Sequence, residues 1–175
     1  VLCIGLLVGS GAARAADDFP EITPEEKAFQ KFAAEPQAPI VTLSRRAEFW
    51  MMDIAKGDVS SRYTVRERRK VLTTAGADRA DVRVVHNKFV RLSNFKGRTV
   101  LPDGSVVPLP KDAQFKATAS RSQRLFVTSV AFPGVVQGAI LDYSYEMRWD
   151  SPLFLDSFYF QQDVPVLSAE ILYHV

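Results

Sequence analysis

Cysteine is nearly missing from this chain. One occurs in 175 residues, Cys3, and it lies in an apolar leader. Beyond that leader no disulfide framework, thiol nucleophile or cysteine metal cluster is available. Histidine is almost as scarce: His86 and His174 are the two present. Neither has a partner at ligand spacing, and "DIAKGD" at 53–58 lacks the dense oxygen donors of a calcium loop, so no metal is expected. No G-x-S-x-G elbow supports a nucleophilic triad. Gly76, Gly97 and Gly104 fit no phosphate-binding glycine pattern, so no cofactor is expected.

Charge of one sign is also lacking. Twenty-two Lys and Arg against twenty Asp and Glu leave a formal charge of +2, with no overall field to attract nucleic acid. Long apolar runs are missing too. The longest, Val1–Val8, falls short of the roughly 20 residues a spanning helix needs, so no transmembrane span is expected in the mature chain. With 47% hydrophobic and 24% charged residues the composition is that of an ordinary globular domain. At this length such a domain buries roughly 68–70% of its unfolded surface without needing a metal or disulfide.

Among the features present, "VLCIGLLVGSGAARAADD" joins an apolar run to small residues and to Ala13-Arg14-Ala15. This predicts a signal peptide over 1–15, its basic start missing, cleaved near Ala15/Ala16. Cys3 precedes most of the apolar run and so is no lipobox cysteine. The expected location is periplasmic or extracellular. Residues 16–39 form a proline-rich lead-in. Thr23 as N-cap, Pro24 at the first helical position and Glu25 and Glu26 in the first turn predict a short helix from Pro24 to Ala34.

From Ile40 the pattern turns to period two. In "GAILDYSYEMRW" at 138–149, Ala139, Leu141, Tyr143, Tyr145, Met147 and Trp149 share one face, and Asp142, Ser144, Glu146 and Arg148 the other. That is a strand with one buried and one wet side. Similar runs fall at about 41–52, 61–73, 80–90, 94–101, 105–109, 124–132, 157–162 and 166–175, with turn residues between them. The pattern predicts a mainly all-β chain: an antiparallel β-sandwich of roughly 8–10 strands over 40–175, with a short N-terminal helix. Pro102, Asp103 and Gly104 are read as a structural turn, with Gly104 in the left-handed conformation that starts a hairpin bulge.

Candidate chemistry is sparse. Asp142, Glu146, Asp150 and Asp156 offer carboxylates, but Asp142 and Glu146 share a strand face with Arg148 and read as solvated residues. His86 and His174 read as structural. Two stretches remain as partner-binding candidates. Arg62, Arg66, Arg68 and Lys70 fall on one face of a strand as a positive stripe, suited to an acidic glycan, a headgroup or a protein. Phe154, Phe158, Tyr159 and Phe160 form an aromatic stretch, either a ligand platform or the contact with an adjoining domain.

Several stretches in order resemble a known family. They are "AAEPQAPIVTL" at 33–43, "VRERRKVLTTAGADRADVRV" at 65–84, "RTVLPDGSVVPL" at 98–109, "FPGVVQGAILDYSYEMRW" at 132–149 and "FYFQQDVPVLSAEILYHV" at 158–175. They are similar to the bacterial domain of unknown function found before transglutaminase-like domains of the papain-like superfamily in exported proteins. The resemblance implies a β-sandwich with no established activity, whose catalytic Cys, His and Asp belong to the following domain. None of those residues maps onto this chain. The expectation is therefore a non-catalytic exported module that supports or regulates a C-terminal transglutaminase-like domain, the chain being cut before it. The alternative is a module that binds envelope polysaccharide, peptidoglycan or a protein.

Overall fold

The computed structural model describes residues 19–51, 60–120, 122, 124–149, 160 and 162–174. The predicted signal segment, Phe154, Phe158 and Tyr159, and most of the strand expected over 157–162 lie outside those residues. Nine strands and two short helices are described: α1 (Pro24–Ala28), β1 (Ile40–Met51), β2 (Ser61–Val71), α2 (Thr74–Ala77), β3 (Val82–Asn87), β4 (Val90–Val100), β5 (Val106–Pro108), β6 (Gln114–Ser120), β7 (Leu125–Val130), β8 (Ile140–Trp149) and β9 (Ala169–His174). Neither helix is long or apolar enough to cross a membrane.

The strands form two sheets packed as a sandwich. The larger runs β5-β4-β8-β2-β1-β9 and the smaller β3-β7-β6. All pairs are antiparallel except β9, which lies parallel to β1. The core forms where Val82, Val84 and Val130 of the small sheet meet Ala47, Phe49, Tyr63, Val65, Leu141 and Tyr143 of the large one. Period-two alternation on β2 and β8 drives this, because successive side chains leave a strand on opposite faces. A bulge between Thr42 and Ser44 inserts one residue into β1, so Thr42 and Arg45 share the inward face despite their odd spacing.

Four details differ from the sequence reading. Helix α1 stops at Ala28 rather than Ala34. A helix this short is marginal alone; its sheet contacts act on its first turn and on the Lys27 carbonyl, and the backbone turns extended at Phe29. Strand β6 carries no apolar alternation because six of its seven residues are exposed; its backbone pairing with β7 defines it. The segment at Ala75-Gly76-Ala77 is a helical turn, α2, capped by the Thr73 hydroxyl. Finally, the face of β8 expected to be wet is covered at Ile140 and Asp142, both buried.

The cover is the segment 19–28. It crosses the outer face of the large sheet, held at its start by Arg68 and Arg98, which both donate to the Pro20 carbonyl at 2.9 Å.

Candidate functional site

The predicted positive stripe is where that crossing occurs. Arg68 donates to Glu26 at 2.7 and 2.8 Å and to Asp142 at 3.0 Å. Glu26 also closes the helix cap, accepting from the Thr23 amide at 2.8 Å. One carboxylate thus caps α1 and fastens it to β2. Arg98, from β4, meets the same Asp142 oxygen at 3.0 Å. Lys70 donates to the Lys27 carbonyl at 3.0 Å. Burial disfavours the charge on both cations. On Lys70 this lowers the pKa. On Arg68 the Glu26 hydrogen bond and the Asp142 field outweigh it, and the pKa rises.

Two members of the stripe differ. Arg62 lies over the Trp50 ring at 5.7 Å and is half-buried. Arg66 alone of the four is exposed, its guanidinium 5.7 Å from the Phe19 ring. Phe19 also faces Arg98 at 5.2 Å, so one ring fastens the N-terminal segment between two cations. The stripe is half structural: Arg68 and Lys70 are committed to the fold. Beside it runs a groove of about 620 Å³ whose lining includes Ser44, Thr64, Ser144, Arg66 and Asp142. The solvated reading of Asp142 does not hold. It is fully buried, with one oxygen shared by Arg68 and Arg98.

The opposite face of the same strands holds a second ionic cluster, unforeseen from the sequence. Glu67 is buried and accepts from Arg45, from Arg69 at 2.6 Å and from the Tyr143 hydroxyl at 2.6 Å. Burial raises its pKa, but the fields of Arg69 and Arg45 prevail and hold it below the ordinary value. Burial pushes Tyr143 well above the usual phenol range and Tyr145 up to about 12. Near neutral pH the cluster is therefore an ionised Glu with two cations and two neutral phenols. The cluster ties β1, β2 and β8 together through Arg45, Glu67, Arg69 and Tyr143. The sequence signal was present: period two puts Glu67 and Arg69 on the same face as Tyr63 and Val65, and a charge on a core face requires an internal partner.

The remaining candidates fall apart in space. Phe160 is 52% exposed. His174 stacks on Trp50 with ring centroids 3.5 Å apart. His86 is buried in the small sheet, its Nε2 3.2 Å from the Thr128 hydroxyl. At the turn, Gly104 has φ +87° and its N–H donates to the Leu101 carbonyl at 2.9 Å. The Asp103 carboxylate accepts from the Ser105 N–H at 2.9 Å and hydroxyl at 2.7 Å, which lowers its pKa. Among the described residues no group of three or more His, Cys, Asp or Glu could hold a metal.

These features define a β-sandwich module with buried ionic clusters on both faces of its large sheet. Residues 57–172 match the domain of unknown function DUF3857, and the chain belongs to that family. No curated protein matches it. A solved structure, a candidate protease from Parabacteroides distasonis ATCC 8503, has the same fold, with a TM-score of 0.65 at 18% identity. The match covers 77% of this chain and 28% of that one, so this chain spans less than a third of its structural relative.

Proposed function

We propose that this chain is an exported, non-catalytic sandwich module that supports or regulates an adjoining transglutaminase-like domain. The observation that carries the reading is the coverage of the structural match: the fold fills most of this chain but 28% of a longer candidate protease. Chemistry in such a protein would lie elsewhere in the polypeptide, as the family resemblance also implies.

A surface suited to support is available. On the outer face of the small sheet Val85 pairs with Val127, and Val127 with Ala117. Phe115 stands on the same face. Val85 is 59% and Phe115 70% exposed. Ser129 and exposed Arg83 lie beside them on this face, and exposed apolar side chains rimmed by polar ones suit contact with another domain.

The coding sequence beyond Val175 tests the proposal. A region carrying a catalytic Cys, His and Asp in that order is expected. A stop codon, or a following region without that order, overturns it.

A further inference from the structure

A cleft lies between the small sheet and the N-terminal half of β4. His86 of β3, Thr128 of β7 and Gln114 and Lys116 of β6 line the space on one side. Val90, Leu92 and Arg91 of β4 line the other, and Lys88 and Phe89 of the β3–β4 turn close the end. The cleft measures about 400 Å³, within the range of about 300–1,000 Å³ typical of small-ligand sites.

Its charge is of one sign in a nearly neutral chain. The charged lining residues described are Lys88, Arg91 and Lys116, with no carboxylate among them. The two ammonium groups rest on aromatic faces: Lys88 Nζ lies 4.5 Å from the Phe89 ring centroid and Lys116 Nζ 4.4 Å from that of Phe126. A ring face attracts a cation but carries no net charge, so both remain able to attract an anion. His86 sits beneath them, its Nε2 on the Thr128 hydroxyl at 3.2 Å and its Nδ1 3.4 Å from the Asn87 carbonyl. Phe89, 60% exposed, gives the mouth an apolar wall.

We infer that this cleft binds a small oxyanion, a carboxylate or phosphate carried on a body of sugar size, with Lys88 and Lys116 as the principal charges and Phe89 packing against the body. The inference does not depend on an adjoining domain. His86 reports occupancy. Burial lowers its pKa; the hydrogen bond to the Asn87 carbonyl opposes this, and the Lys116 cation adds to it. The groups facing its ring are Lys116 from β6 and Thr128 and Phe126 from β7, with Lys88 also on the cleft lining. An anion placed among them favours the imidazolium.

Because His86 and His174 are the two histidines, their NMR signals give a site and a control. Inorganic phosphate, glucuronate, glucose 6-phosphate and uncharged glucose are titrated into the full chain at constant ionic strength. A saturable shift of the His86 signals and a raised His86 pKa are expected with at least one anionic probe, at a Kd of about 1 mM or tighter. His174 and glucose should give none. The stronger probe identifies the anion as carboxylate or phosphate. Lys88→Ala and Lys116→Ala, made singly, should each weaken binding about 5–10-fold, the loss of roughly one charge contact. An unchanged His174 signal shows that each variant is folded. No saturable His86 shift with any anion, an equal shift with glucose, or full affinity in both variants overturns the inference.

Discussion

Glu67 is the residue on which the interior depends most. Its carboxylate compensates Arg45 and Arg69 inside the sandwich. Removing one member of a buried ionic set leaves uncompensated charge, so Glu67→Gln should cost about 3–5 kcal/mol in chemical denaturation. The pH dependence follows from the same contacts. With its folded pKa below the ordinary 4.5, Glu67 takes up a proton in the unfolded chain before it does in the folded one. Its contribution is therefore complete above about pH 5 and is lost as pH falls below 4.5 toward the folded value. Denaturation midpoints from pH 7 to 3 should fall less steeply in Glu67→Gln than in the parent; equal slopes would show that Glu67 is not ionised in the fold. At this scale the sequence was legible in part. The alternation in "SRYTVRERRK" separates an Arg66, Arg68, Lys70 face from a Tyr63, Val65, Glu67 face, but which face is covered depends on contacts distant in sequence. Arg68 and Asp142, 74 positions apart, carry no local sign of meeting.

Turns and strand faces show the same division between local and distant causes. Backbone chemistry is local, so the Leu101–Ser105 turn can be read from its residues. Gly104 at φ +87° has nothing within 4 Å of an added Cβ. Gly104→Val therefore strains the backbone without a clash and should cost about 1–3 kcal/mol. An unchanged melting temperature would contradict that conformation. Gly76 is the opposite case. Its φ lies outside the left-handed region, but an added Cβ would stand 2.1 Å from the Pro39 carbonyl oxygen, which accepts from Leu72 and Thr73. Nothing in "TTAGAD" announces that approach, since its cause lies in the lead-in to β1. Strand β6 and the end of α1 were misread for a related reason. Side-chain periodicity records burial, and neither exposed β6 nor residues 29–34 bury a regular face.

As a whole the molecule is a two-sheet sandwich whose N-terminal segment is built into its outer surface. The sandwich class was legible because alternating strands must bury one face each. The crossing of residues 19–28 over the large sheet was not, because a polar segment settles on a sheet only where partners such as Arg68, Arg98 and Lys70 already wait for its carboxylate and carbonyls. The small sheet's outer face is left with Val85 and Phe115 uncovered, and the proposed supporting role rests on that face meeting an adjoining domain. Calorimetry of the full-length gene product with Phe115→Lys tests this most directly. In a surface exposed throughout, such a change stays within about 0.5 kcal/mol. Buried against another domain, the loss should reach about 2 kcal/mol and lower the Tm by roughly 4 °C or more. A Tm lowered by that amount is the result predicted; a Tm unchanged within a degree or so would contradict the supporting role.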